Sequence, residues 1–407
     1  MRKKIVIIGA GAEQLYAYKL ARKNGHYIIA TDINQNAPAV KYADCFISAS
    51  TRDAYQTLDS IKYYCKRHGN IDGVMTIAND VPYTVALVAD YFNLGGHSVD
   101  SAILAHDKFL MKEAFREHKV PCPDFWKVKK LEELISLVNT ENFDKFVIKP
   151  VDGRGARGVL LLDNENDLEW AFNESLSWSD EKVLIVERFI PGMQISSESY
   201  LLNGKAFTPA LSERNYSRLK DFLPYIIEDG GTIPAPVDKE TTEKINQLIE
   251  DGARSMGVVD GIVKGDIVID ENGNPKIIEL ALRLSGGWFA SDQIIATSGV
   301  DLVDVVMKQA LGVEVTKKML TPKNNRSTTT RYWFPKSGVI SAISGESNVK
   351  NLPGVIKYGF FRKIGDKQPI IKMHSDRFGY VIAEGRDRRE SIDRVEQALK
   401  VLHVEVV

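Results

Sequence analysis

Cysteine is scarce in this chain of 407 residues: Cys45, Cys65 and Cys122 form an odd set without metal-type spacing. That argues against a disulfide scaffold or a thiolate metal centre and fits a reducing cytoplasm. Charge of one sign is not in excess either, with 53 basic residues against 54 acidic ones. No nucleic-acid partner is therefore expected, because such binders carry a basic face. Long apolar runs are missing as well. The opening MRKKIVIIGAGA has the basic-then-apolar look of an export signal, but its apolar run stops within a few residues, before Glu13. It is too short for a signal peptide or a membrane span, so no membrane partner is expected. The seven histidines show no i, i+4 pairing and no cluster, which argues against an imidazole metal site. Repeats, low-complexity tracts and a convincing Ser/His/Asp or Cys/His nucleophile are all lacking. What remains is an ordinary globular composition, 44% hydrophobic and 26% charged, in a chain long enough for two to four domains.

The order of elements is legible. IVIIG (5–9) reads as a strand buried on both faces, 13–25 as a helix stopped by Gly25, and YIIATDI as the next strand. CFISAS, a helix around 53–68 and GVMTIAND (73–80) continue the alternation, which predicts a doubly wound parallel sheet over about the first hundred residues. HDKFLMKEAFREH (106–118) is an amphipathic helix, and VPCPDFW a connection into a new unit. KFVIKP, GVLLL, KVLIVERFI and SSESYLL predict a mostly antiparallel region, 240–257 a helix, and 262–281 a hairpin followed by a further helix. From about 315 short strands alternate with glycines and prolines, and RDRRESIDRVEQALKVL is expected to close the chain as a helix.

Two stretches carry chemistry. In VIKPVDGRGARGV (147–159) a strand ends in Lys149, turns at Pro150 and sets out Gly153, Gly155 and Gly158 around Arg154 and Arg157. Such a loop presents backbone N–H groups and planar cations to an anion, although a basic surface turn would look the same. In GDIVIDENGNPKIIELALR (265–283) Asn272-Gly273 predicts a hairpin with a two- or four-residue loop, pairing Val268 with Ile277, Ile267 with Ile278 and Asp266 with Glu279. Two bare carboxylates about 5 Å apart repel by about 3 kcal/mol at an effective dielectric near 20. Protonation, a bridging cation or a different register would relieve that. An oxygen-only pair suits Mg²⁺ or Mn²⁺. Arg283, then Ser285, Gly286 and Gly287 opening a helix, add a cation and an anion seat, which favours phosphoryl chemistry.

At this point the chain resembles the ATP-grasp superfamily of carboxylate–amine ligases, in its biotin-carboxylase and carbamoyl-phosphate-synthase-like branch. The marks are ordered: HDKFLMKEAF, VIKPVDGRGARGV, VERFIPGMQISSE, then Asp266, Glu279 and Arg283. The resemblance implies an α/β and α+β architecture: a Rossmann-like domain at 1–105, an ATP-grasp core at 106–313 with a β-rich lid at about 120–190, and an α+β lobe at 314–407. It implies ATP and Mg²⁺ as cofactors. Lys108 and Lys149 would hold phosphates beneath a mobile flap at 153–158. Backbone groups of Arg188 and Ile190 would meet the adenine, with Glu187 and Phe189 lining its pocket and Gln194 at the ribose. Asp266 and Glu279 would bind the metal, and Arg283 would stabilise the transferring phosphoryl group. The implied activity is an ADP-forming ligation of a small carboxylate to an amine through an acyl phosphate, in a cytoplasmic homodimer. Arg214, Arg331, His374 and Arg377, with Ser285, Gly286 and Gly287, are expected at the substrate.

Two departures stand out. The pattern Glu-x-Asn-x-Arg is here ELALR, with Ala281 in place of a metal ligand, and Gln194 replaces a glutamate. The alternatives are a carboxyphosphate-forming enzyme of the same type and a nucleotide-binding protein that has lost catalysis. GAGAEQ (9–14) with Asp32 also imitates a dinucleotide fingerprint, but Gln14 stands at its third glycine.

Overall fold

Apolar runs buried on both faces build the first layer of the computed structural model, which describes residues 2–163 and 165–407. Lys4–Ile8, Tyr27–Asp32, Cys45–Ser48 and Gly73–Met75 form a parallel sheet in the order third, second, first, fourth. Ile5, Val6, Ile7 and Ile8 are fully buried under the helices Leu15–Lys23, Ala54–His68 and Pro82–Tyr91, which cover the two faces. A parallel sheet presents its ligand side at the carboxyl ends of its strands. The loops that leave those ends here carry Glu13, Arg52 and Asp80, all facing one cavity.

The helix Lys108–Glu117 starts where Asp107 accepts hydrogen bonds from the Phe109 and Leu110 N–H groups. That cap turns Lys108 and Lys112, four residues apart, toward the interior. Phe125–Val128, Leu184–Arg188, Phe146–Pro150 and Leu160–Leu162 then make a four-stranded antiparallel sheet in that order, backed by Leu131–Glu141 and Leu168–Leu176.

The third layer is an eight-stranded antiparallel sheet, in spatial order 275–281, 261–269, 193–202, 205–214, 231–233, 327–333, 379–385 and 355–360. It passes from the central region into the C-terminal lobe without a break, so the composition shift near 315 does not mark the edge of a separate sheet. The helix Arg388–Val401 does not close the chain. A strand, His403–Val406, follows it and pairs with Gly338–Ser344.

The hairpin departs from its expected form in a way that preserves its point. Its loop is Asp270–Asn274, five residues rather than two or four, with the Asp270 carboxylate accepting from Asn272 and Asn274 N–H. Ile267 therefore pairs with Ile277 and Val268 with Lys276. A bulge at Ile278 then absorbs the one-residue slip, and Asp266 still faces Glu279.

Gly230 couples this sheet to the C-terminal strands: at φ +71° its backbone lies so close to the Thr330 carbonyl that a Cβ would overlap it. Gly230→Ala should destabilise the protein by about 2 kcal/mol or more, from left-handed strain and overpacking together. The check is the urea midpoint, which falls if the close approach matters and stays put if it does not.

Candidate active site

A cavity of about 1020 Å³ opens where the three layers meet. Its floor is the hairpin. Asp266 sits partly buried in a cage of cations: Arg214 Nη1 lies 3.1 Å from its Oδ1, Lys264 holds its Oδ2, and the Ser196 hydroxyl is 3.5 Å away. Burial would raise its pKa, but Arg214 and Lys264 hold the carboxyl well below the usual carboxylate range. Glu279 lies 3.5 Å from Lys108 Nζ, which also donates to the Gly153 carbonyl at 2.6 Å. The repulsion between the two acids is thus relieved by the chain's own cations rather than by protonation, a bridging cation or a different register.

Arg214, expected at the substrate, already has two acidic partners. It ends the strand Lys205–Arg214 and bridges Asp266 to Glu228, with its Nε 2.6 Å from Glu228 Oε2. Lys264 was not expected at all. It sits on the same strand face as Asp266 and is register-paired with Ala281, the position where the family's pattern has a ligand.

Lys149 is bound 2.9 Å from Glu187, and the fully buried Lys112 reaches the same carboxylate oxygen at 3.2 Å. Burial would raise Glu187, yet the two ammoniums hold it below its ordinary value, so this acid is a fixed anion beside Lys149 at the cavity. Arg188, Phe189, Ile190 and Gln194 line the cavity beside it.

The glycine loop covers the opening. Gly153, Arg154, Gly155 and Arg157 line the cavity. Gly158 does not: its carbonyl accepts from Ser175 Oγ at 2.7 Å and its Cα packs on the helix Leu168–Leu176, so it anchors the loop rather than touching a ligand. The Asp152 carboxylate fixes the other end through Ser179 Oγ and the N–H groups of Asp180 and Glu181. At the tip the Gly155 carbonyl accepts from the His374 N–H at 3.3 Å.

The C-terminal lobe brings His374 and Arg377 to the cavity. Burial, with Arg377 and Arg214 nearby, pushes the His374 imidazole well below its usual pKa, so it is neutral at pH 7. Arg377 lies over the Tyr332 ring, 3.9 Å from its centroid, and bonds the Glu228 carbonyl. Arg331 does not reach the cavity. Its strand alternates, Thr330 and Tyr332 face the cavity, and Arg331 points away with Nη1 on the Thr330 carbonyl.

Arg283 is gripped by Asp80, a residue the sequence reading missed. Burial would raise Asp80, but Arg283 holds it below its usual value. Ser285, Gly286 and Gly287 also line the cavity, but the anion seat expected at the following helix is already taken. The Gly287 N–H donates to Glu13 Oε2 at 2.6 Å.

Charge, shape and donor set fit a magnesium nucleotide. Among the described residues no group of three or more His, Cys, Asp or Glu could cage a metal by itself. Two facing carboxylates with open space above them match Mg²⁺, which fills its shell with water and phosphate oxygens. Arg154 and Arg157 have no salt-bridge partner among the described residues and remain available to phosphate.

The sequence comparisons agree with this geometry. Residues 105–287 match the ATP-grasp domain model. The chain carries an ATP-grasp domain. On either side of it, residues 5–94 match the PylC-like N-terminal domain and 331–407 the L-amino acid ligase C-terminal domain 2. D-alanine–D-alanine ligase of Fervidobacterium nodosum is 27% identical over 321 residues, 71% of this chain and 90% of that protein. Phosphoribosylamine–glycine ligase of Escherichia coli K12 is 24% identical over 323 residues, 75% and 72% of the two chains. Among solved structures, the L-amino acid ligase of Bacillus licheniformis has the same fold, with a TM-score of 0.84 at 19% identity over 100% of this chain and 99% of that one. Phosphoribosylglycinamide synthetase of Anaerococcus prevotii gives 0.76 at 22%, covering both chains fully. ATP and Mg²⁺ are the cofactors of ATP-grasp ligases. Among the described residues no helix is long and apolar enough to cross a membrane.

If Lys149 pairs with phosphate as well as with Glu187, Lys149→Ala should weaken MgATP binding at least tenfold, the scale of one charge-assisted hydrogen bond. Titration calorimetry checks this, and an unchanged affinity removes Lys149 from the phosphate site.

Proposed function

We propose that this ATP-grasp protein joins a small carboxylate to an amine, forming an acyl phosphate and releasing ADP and phosphate. The observation that carries the reading is the Asp266–Glu279 pairing within reach of Lys108, beneath a glycine loop and beside Arg283. When bound, MgATP supplies the phosphoryl group. The chain's own part is positioning and neutralisation. Lys108, Lys149, Arg154 and Arg157 hold the polyphosphate. Arg283, fixed by Asp80, meets the charge that develops between the substrate carboxylate and the transferred phosphoryl group. The loop at 153–158, fastened at both ends and touching His374, keeps water from the acyl phosphate.

An amino acid as one of the two substrates is supported by the match to the L-amino acid ligase C-terminal domain. One metal ion rather than two is supported by Lys264, whose ammonium holds Asp266 directly opposite Ala281. Three free cysteines support a cytoplasmic setting, and a homodimer is the expected assembly.

The test is ADP release from MgATP with pooled amino acids. Release that requires both a carboxylate and an amine supports the ligase. Release with bicarbonate alone supports carboxyphosphate chemistry, and tight ATP binding without turnover supports a binding protein. Glu279→Gln should cut turnover by about 10²-fold or more while ATP affinity changes far less. Turnover equal to that of the parent chain would contradict the metal assignment.

A further inference from the structure

The motif that imitated a dinucleotide fingerprint has a different use. GAGAEQ ends the first strand and delivers Glu13 into the cavity, opposite Arg283 and the start of the Phe289 helix. Gly286 makes room for it: a Cβ there would lie 2.6 Å from Glu13 Oε2. Each other described carboxylate lining the cavity already has a paired cation or side-chain hydrogen bonds. Asp80 has Arg283, Glu187 has Lys112 and Lys149, Glu213 has Arg388, Glu228 and Asp266 have Arg214, Glu279 has Lys108, and Asp152 has three donors. Glu13 has only the Gly287 N–H on Oε2. Its Oε1 has no partner among the described residues. A carboxylate that faces the cavity without a paired cation is the feature expected where a ligand supplies that cation.

Beside it stands an aromatic wall. Trp288, at φ +57°, stacks on Tyr380 with centroids 3.5 Å apart, and Phe361 lies parallel to it at 6.1 Å. Trp288, Tyr332 and Phe361 line the cavity. An aromatic wall next to a carboxylate with an unpartnered oxygen suits an ammonium attached to an apolar or flat group.

We propose that Glu13 receives the ammonium of the attacking amine and takes its proton. This rests on the ligase reading above. An ammonium has no lone pair, so it must lose a proton before it can attack. The proton passes to the Glu13 carboxylate, and the amine nitrogen bonds the acyl carbon. The bond from that carbon to the phosphate oxygen breaks, phosphate leaves with the electron pair, and it takes the second N–H proton. Glu13 releases its own proton to solvent as the product departs. Burial raises the basicity of Glu13, outweighing the Gly287 N–H, Arg283, Arg377 and Lys357, which act the other way.

Hydroxylamine separates this step from the one before it, because it is a free base at neutral pH and intercepts an acyl phosphate without help. The parent chain and Glu13→Gln are given MgATP and the twenty L-amino acids, with and without hydroxylamine, and hydroxamate and amide are measured. In Glu13→Gln the hydroxamate-to-amide ratio should rise by about 10²-fold or more over the parent, the usual weight of a general base. Glu13→Asp, which keeps a carboxylate, should fall between the two. A ratio that matches the parent in both variants overturns the assignment. Hydroxamate from none of the chains, the parent included, overturns the ligase reading itself and this inference with it.

Discussion

Two acidic side chains held face to face by a hairpin are the constraint around which this site is organised. Left alone, carboxylates at cross-strand distance cost about 3 kcal/mol of repulsion even at an effective dielectric near 20. The fold meets that cost with Lys264 and Arg214 on Asp266 and Lys108 on Glu279. Two of those cations are tied in turn to other parts of the cavity. Lys108 reaches the carbonyl of the covering loop, and Arg214 reaches Glu228, which Arg377 also touches. A ligand that changes the charge at Asp266 and Glu279 therefore acts on the covering loop and the C-terminal lobe through contacts already made.

The same logic extends across domains. Glu13, Arg52 and Asp80 leave the carboxyl ends of parallel strands in the first layer and face a cavity whose floor belongs to the third. Asp80 orients Arg283, while Glu13 occupies the end of the Gly286–Gly287 turn. The first layer thus completes the centre rather than sitting beside it. At the fingerprint's third glycine stands Gln14, whose buried amide donates to the Ile77 carbonyl.

How much of this the amino-acid sequence carried depends on the range of the interaction. The facing of Asp266 and Glu279 was legible because a hairpin is local, although the loop length was not. Asp270 draws two extra N–H groups into the turn, and the bulge at Ile278 cancels the slip. Lys112 could have been found, since it lies one helical turn from Lys108 on an amphipathic helix, and a lysine on the inner face needs an acid. Arg331 could have been set aside by strand alternation, with Thr330 and Tyr332 on the other face. Gly158 looked like its two neighbouring glycines, and only its packing on the helix Leu168–Leu176 separates it from them. Glu13 and Asp80 were out of reach, because their partners Gly287 and Arg283 are more than two hundred residues away and no local pattern links them.

The most direct measurement on the central pair is paramagnetic titration with Mn²⁺ in place of Mg²⁺, in the presence of ADP. The account predicts one Mn²⁺ per chain, bound tightly only with nucleotide, with binding lost when Asp266 and Glu279 are both changed to their amides. Undiminished Mn²⁺ binding in that double variant would contradict it.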